Sequence, residues 1–326
     1  MQSRRYKRCA GKKLQRDAVM IWSTHPGAFG AITFVILYFL GGNPARIKNV
    51  VSFSGGRTSA YLCYLMKQLF GDDVDFVFMD TGAEHPKTYE FIRKVNKEFN
   101  LNLVCLRVKI NPILGQGNSY EVVSIDNIGH DLKPFSDMMQ KYGTPYFGGA
   151  FCTQMMKSKP YISYCNDKYG KGNYESWIGI RIDEPTRLND KKFRYLAEIS
   201  DFEKQDVLDW WNAQGFNLDI PEPLGNCIFC IKKGTNKVAY AERLEPEKAK
   251  LFIEAVCSEA VRITKREKPS EIMYRGEHSL KSIIKMYEDF SEDDIMQTIR
   301  SMKMEETGSC SESCEANLEF DFGDDL

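Results

Sequence analysis

At 326 residues the chain is long enough for one sizeable α/β domain with a smaller attachment. A formal net charge of −1 gives no electrostatic reason to expect a general nucleic-acid binder. Ten cysteines spread over this length exclude the dense disulfide framework of a small secreted domain and fit a reducing, cytoplasmic setting.

The charge is unevenly placed. Residues 1–48 carry nine Lys or Arg against the single acid Asp17, and residues beyond Met304 carry eight acids and no base. The apolar run at 31–40 falls far short of the roughly 20 residues that span a bilayer. It has basic residues upstream but no small-residue cleavage site, so 1–46 reads as an N-terminal appendage outside the core.

Regular patterning begins at Lys48. Val50, Val51 and Phe53 make a short buried strand, and Leu62, Leu65, Met66 and Leu69 recur at helical spacing after a Gly-rich loop. A second apolar run, 74–79, ends at Asp80, Thr81 and Gly82. Pro86 then opens a helix with the apolar stripe Phe91, Ile92, Val95 and Phe99. A third strand is expected over 101–108. This alternation predicts parallel strands joined by right-handed crossovers, an open sheet with helices on both faces.

Residues 111–150 are rich in Gly, Pro, Asn and Asp without sustained periodicity and read as an insertion or mobile lid. Helix is expected over 153–169, strand over 177–180 and an amphipathic helix over 202–214 ended by Gly215. The organisation that follows is a nucleotide-binding domain at 47–233, a helical C-terminal region at 234–304 and an acidic, flexible tail at 305–326.

Chemistry concentrates in the first loop, Ser54, Gly55, Gly56, Arg57, Thr58 and Ser59. Two glycines let backbone N–H groups approach an anion, the following helix start adds partial positive charge, and three hydroxyls offer donors. Those are the requirements of a phosphate cradle, although an ordinary strand-to-helix turn uses the same residue types. The Gly-Lys-Ser/Thr ending of a Walker loop is absent.

Taken with Asp80 to Glu84, Cys152 and Thr153, Gly179 to Glu184, and Asn226 to Cys230, this loop resembles the adenine nucleotide alpha-hydrolase (PP-loop) superfamily. Within it, the chain is similar to the phosphoadenosine phosphosulfate (PAPS) reductase branch from about Lys48 to Lys233. The resemblance implies that Ser54 to Ser59 hold nucleotide phosphates and that Asp80, Thr81 and Gly82 line an adenosine pocket. Thr58 stands where the ATP-pyrophosphatase branch has Asp, so both PAPS and ATP stay open as the nucleotide. Arg181 is the arginine that the resemblance points to most directly as an oxyanion ligand and catalytic group. Arg187 and Arg194 are equally well read as partners of nearby acids, and Lys157 and Lys159 as an exposed helix face.

Cys227 and Cys230 form a C-x-x-C turn, and Cys152 from a neighbouring helix would supply a third thiolate. An iron–sulfur cluster, zinc in the same place and a redox dithiol are the alternatives. The adjacent cysteine pair of sulfonucleotide reductases is missing, since Phe151 precedes Cys152. PAPS reductases carry a nucleophilic cysteine on a mobile C-terminal segment, which implies Cys314 and Cys310 here, but in acidic surroundings and without the Glu-Cys-Gly-Leu-His motif. Cys63, Cys105 and Cys165 lie on apolar faces and are expected in the core. His85, His130 and His278 show no triad or metal spacing.

Three functions remain in view. The first is a PAPS reductase-like enzyme that uses a thiol reductant. The second is a sulfurtransferase that cleaves ATP, takes sulfur from a donor and thiolates a nucleic acid or other acceptor. The third is a nucleotide sensor without turnover. Neither a membrane partner nor an oligomeric state is indicated.

Overall fold

The computed structural model describes residues 47–188, 192–225, 227–265 and 268–305, side chains through 301, with two short strands nearer the N-terminus. The chain divides into two compact units, Met1–Arg46 and Ile47–Leu326. In the first, β1 (Met20–Ile21) pairs antiparallel with β2 (Ile36–Leu37).

The second unit is built on a six-stranded sheet. Its strands are β3 (Lys48–Phe53), β4 (Val74–Met79), β5 (Val104–Lys109), β6 (Ser119–Val123), β7 (Tyr174–Ile178) and β8 (Phe193–Tyr195), in spatial order β6-β5-β4-β3-β7-β8. All neighbours are parallel except β6, which runs antiparallel to β5. Crossovers through α1 (Arg57–Phe70) and α2 (Pro86–Glu98) carry the chain outward from β3 to β5, and it later returns to the far side of β3 as β7. The strand order therefore reverses between β3 and β7, which places a crevice at the C-terminal ends of these strands.

Both faces of the central strands are covered, which explains why they read as unbroken apolar runs. On one face Val50, Val77, Met79 and Leu106 pack with Tyr161, Tyr164 and Cys165 of α4 (Lys159–Tyr169). On the other, Phe53 and Phe78 meet at 6.4 Å, and Phe78 meets Tyr89 of α2 edge-on at 6.3 Å. Cys63, Cys105 and Cys165 are buried as expected. Burial pushes the Cys105 and Cys165 thiols up to about 12, so both stay protonated.

The expected insertion at 111–150 is more ordered than its composition predicts. It contributes β6 to the sheet and α3 (Lys133–Tyr142), whose Phe135 stacks on Phe252 of the C-terminal region at 5.6 Å. β6 is an exposed edge strand anchored through Tyr120, which packs edge-on against Tyr164 at 5.5 Å, so it lacks the apolar alternation that marks a strand. The helix expected over 153–169 divides into a π-helical stretch, Thr153–Ser158, followed by α4. Pro160 falls in the first turn of α4, directly after the π-helical stretch.

α5 (Lys204–Asn212) brings Trp210 and Trp211 against Tyr61, Tyr64, Phe91 and Phe99. The C-terminal region is helical, with α6 (Thr235–Leu244), α7 (Pro246–Val256), α8 (Leu280–Met286) and α9 (Glu292–Glu305). Among the described residues no helix is long and apolar enough to cross a membrane.

One carboxylate fastens the other end of the sheet. Asp75 at the start of β4 takes Lys48 of β3 at 2.8 Å, Lys168 of α4 at 2.9 Å and the Tyr169 hydroxyl at 2.5 Å. Burial alone would raise its pKa, but the hydrogen bonds from Lys48, Tyr169 and Lys168 outweigh that effect and bring it down to about 2. A carboxyl held below its unfolded value of about 3.9 contributes stability that is complete above that value and lost as pH falls toward the folded one. Urea midpoints measured from pH 5 down to pH 2 are expected to decline less steeply in Asp75→Asn than in the parent, and equal slopes would remove Asp75 from the acid response.

Candidate nucleotide site

The loop from Ser54 to Ser59 leaves β3 at the reversal of strand order. Gly55 is left-handed at φ +86°, and a Cβ there would meet Ile92 Cδ1 at 2.9 Å and Thr88 Cγ2 at 3.0 Å, both on α2. Glycine is thus required twice over, by backbone and by space. Gly56 is the N-cap of α1, and no side chain caps that helix start. Its first N–H groups and the positive end of its dipole are directed into the crevice, the arrangement that favours an anion.

The hydroxyls curl the loop tightly. Ser54 Oγ and Ser59 Oγ are 2.7 Å apart, and Ser59 Oγ donates to the Gly56 carbonyl at 3.1 Å. Arg57 points away from this curl. Its Nε donates to Asn217 Oδ1 at 2.8 Å and its guanidinium also donates to the Leu218 carbonyl, while Trp211 Nε1 donates to the Arg57 carbonyl at 2.9 Å. Arg57 therefore ties the loop to the segment after α5, a role that the sequence pattern does not reveal.

β7 closes the cradle from the other side. A Cβ on Gly179 would lie 2.8 Å from Ser59 Cα and 2.9 Å from Ser59 N, so the two backbones touch. Arg181 follows two residues later, buried, with Nη1 donating to Thr58 Oγ1 at 3.1 Å and Nε to Asp183 Oδ1 at 2.8 Å. Its backbone N–H donates to Glu184 at 3.2 Å. The structure thus brings Arg181 to the loop. Arg187 pairs with Glu184, and Arg194, 41% exposed, pairs with Glu175 and Glu198, so both answer to acids.

Asp80, Thr81 and Gly82 lie at the end of β4, beside the loop by sheet register, because Phe53 is paired with Phe78. Asp80 is fully buried and accepts three hydrogen bonds, from Gly82 N at 2.9 Å, the Tyr89 hydroxyl at 2.8 Å and Arg107 Nε at 2.7 Å, with Arg107 Nη2 in ion-pair contact at 2.6 Å. Burial pushes its carboxyl up, against the opposing pull of the Gly82 N–H, Arg107 and Tyr89. Arg107 also reaches Asp131 at 2.8 Å, and Leu132 N donates to the Gly82 carbonyl at 2.9 Å, so the segment before α3 is fastened over this turn. Arg107 is not among the expected residues. Its signal was a cation inside the otherwise apolar run from Val104 to Val108.

Among the described residues, no group of three or more His, Cys, Asp or Glu side chains is placed to hold a metal ion, so a cluster or zinc at Cys152, Cys227 and Cys230 gains no support there. Cys227 faces the turn that follows β4: its Sγ is 3.6 Å from Glu84 Oε1 and 3.9 Å from Thr81 Oγ1. Cys152 stands at the head of the π-helical stretch, and Cys230 closes the turn with its N–H on the Cys227 carbonyl at 3.2 Å. The same π-helical stretch carries Lys157, whose Nζ is 3.3 Å from Glu84 Oε1. Cys310 and Cys314 lie outside the described residues.

The contact between Gly179 and Ser59 yields a test. Gly179→Ala forces a methyl into backbone and is expected to destabilise by about 1–3 kcal/mol, with the start of α1 displaced. Gly215→Ala, where an added Cβ meets nothing within 4 Å, serves as the neutral control in urea unfolding. Equal midpoints for the two variants would show that the contact is not tight.

Comparison with known proteins bears on the same residues. The chain is 55% identical over 284 residues, 84% of its length and 98% of the relative's, to the uncharacterized nin region protein ORF290 of Escherichia phage lambda. An uncharacterized protein of Methanocaldococcus jannaschii is 25% identical over 143 residues, which are 44% of this chain and 25% of that protein. Among solved structures, PAPS reductase from Candida auris in its phosphate complex aligns at a TM-score of 0.32 and 13% identity, over 51% of this chain and 71% of that one. A likeness at that level adds nothing to the reading of the site. The phosphoadenosine phosphosulfate reductase domain family matches residues 48–207, the segment that contains the Gly-rich loop, the Asp80 turn and Arg181. The chain therefore belongs to one family with the lambda nin region protein, and its residues 48–207 match the phosphoadenosine phosphosulfate reductase domain family.

Proposed function

We propose that this protein is an adenine-nucleotide-dependent sulfur enzyme that holds the phosphates of PAPS or ATP in the loop from Ser54 to Ser59. The observation that carries this reading is the joining of two features at one crevice. An uncapped helix start with a left-handed glycine before it meets a buried arginine bonded to Thr58 of the same loop. Backbone N–H groups would take the phosphate oxygens, and Arg181 would add a fixed cation beside them.

Asp80 has a supporting role in this reading. Its oxygens are already engaged by Gly82, Tyr89 and Arg107, so it shapes the turn that offers Thr81 and Gly82 to the adenosine. The family also implies a thiol reductant or sulfur donor as the second substrate. Sulfite with adenosine bisphosphate as products marks the reductase, and pyrophosphate marks the ATP-dependent sulfurtransferase.

Calorimetry on the full chain with PAPS and with ATP tests the proposal. One of the two should bind, and Arg181→Lys should weaken it by about tenfold or more, since a forked charge-assisted contact is lost while the positive charge is kept. Failure of the unaltered protein to bind either nucleotide would sink the reading.

A further inference from the structure

We propose that a cavity between α3 and α7 is a second ligand site, which takes a compact organic amine with its charged head toward His130 and Asp131 and its apolar body along Leu251. The inference goes beyond the nucleotide reading and does not depend on it, because no residue that lines the cavity belongs to the loop from Ser54 to Ser59 or to the Asp80 turn.

The cavity measures about 380 Å³, room for a small organic molecule. Its walls are two helices. α3 presents Ser136 and Gln140, four residues apart on one face, and α7 presents Leu251, Glu254 and Ala255, which share a face at i, i+3 and i+4. The stacked pair Phe135 and Phe252 fixes the distance between these helices. The turn at 258–261 closes one side and is anchored through Arg262, whose N–H donates to the Met139 carbonyl at 3.2 Å and whose Nη1 donates to the Lys141 carbonyl at 3.1 Å. Packed structure therefore frames the cavity. Its segment at 130–132 also walls the nucleotide crevice, through the Leu132 N–H on the Gly82 carbonyl.

The charge of the lining is one-sided. The described residues that line it include two carboxylates, Asp131 and Glu254, and no lysine or arginine. Asp131 is partly answered by Arg107 Nη1 at 2.8 Å and by the Lys133 N–H at 3.0 Å, while Glu254 is exposed at the rim. Lys248, one turn before Leu251, is tied to Glu245. An anionic ligand would meet like charge on both walls, whereas a cation is attracted to both.

His130 adds a demand for a donor. Its Nδ1 is 2.8 Å from the Glu84 carbonyl, and because a carbonyl only accepts, Nδ1 carries the ring proton. Desolvation lowers the pKa of this ring and keeps it neutral. Nε2, on the opposite edge, is then an acceptor, and it is buried with no partner among the described residues. An amine N–H satisfies it and a carboxylate does not. Leu251, 51% exposed, and Ala255 offer the apolar surface along which a short hydrocarbon body lies.

Nuclear magnetic resonance of the full chain with ring-15N histidine tests this, since the sequence has only four histidines and His130→Gln identifies the signal. The probe is n-hexylamine near neutral pH, where it is an ammonium ion, and the control is hexanoate, which has a similar body and the opposite charge. The His130 Nε2 signal should shift saturably with hexylamine while those of His85 and His278 hold their positions, and hexanoate should leave all of them unmoved. Ser136→Leu and Ala255→Leu fill the cavity from opposite walls, and each should weaken hexylamine by about tenfold or more. Glu254→Lys should weaken it by about fivefold, with the free His130 signal unchanged as the check on folding. No saturable shift in the unaltered protein would overturn the site. An equal response to hexanoate would overturn its preference for an amine, and full affinity in both folded leucine variants would place the binding elsewhere.

Discussion

The start of α1 lies so close to the end of β7 that residue 179 has no room for a side chain, and this contact organises the site. It exists because β3 is central in the sheet, with β4 on one side and β7 on the other. Parallel pairing in register brings three strand ends to one edge, and the reversal of strand order leaves a gap only at that edge. Everything that qualifies the loop as an anion cradle, from the left-handed Gly55 to the Arg181 bond to Thr58, is a consequence of that placement. The aromatic cluster around Trp210 and Trp211 then holds α1 from behind, through packing and through the indole bond to the Arg57 carbonyl.

A second constraint is the burial of charge beside the crevice. Asp80 and Arg107 are removed from water together, which is tolerable only because nearly every lone pair and donor is engaged. Such a pair contributes little net stability and much definition of geometry, since breaking it would strand a buried charge. The consequence for the site is a turn at Gly82 that cannot relax. Gly82 is itself left-handed at φ +71°, and a Cβ there would lie 2.5 Å from Asp131 Oδ1. The segment before α3 is therefore part of the pocket wall, which a reading of 111–150 as a mobile lid does not convey.

Much of this was legible in the sequence, and what was not has physical reasons. The run at 74–79 and the helix opened by Pro86 matched the observed elements because buried parallel strands and proline-started helices leave strong local signals. β6 was hidden because an exposed edge strand has no buried face to pattern. The six loop residues, the Asp80 turn and Arg181 were legible as a group through their family likeness, and the structure does bring Arg181 to the loop. The different task of Arg57 was not, since its partners Asn217 and Leu218 lie 160 or more residues away in the chain. The surroundings of the cysteines were not legible for a related reason. A C-x-x-C turn reports that two thiols are near one another, but which group each faces is set by tertiary packing, and for Cys227 it is Glu84.

That packing also gives the C-terminal helices a purpose beyond covering the domain. His85, next to Glu84, caps α2 by accepting the Lys87 N–H at Nδ1, which leaves the ring proton on Nε2 to be donated to Glu245 at 2.7 Å. Glu245 sits between α6 and α7 and is further tied to Lys248. Desolvation lowers the His85 pKa, so the neutral tautomer that satisfies both bonds persists at neutral pH. On the other side His130, from the segment before α3, bonds the Glu84 carbonyl at 2.8 Å. Glu84 is thus fixed by its neighbours in sequence, by the turn at Cys227 and by two histidines from opposite directions. A carboxylate that must meet a thiol and a lysine at once requires such a frame, because a shift of one ångström would trade either contact for water.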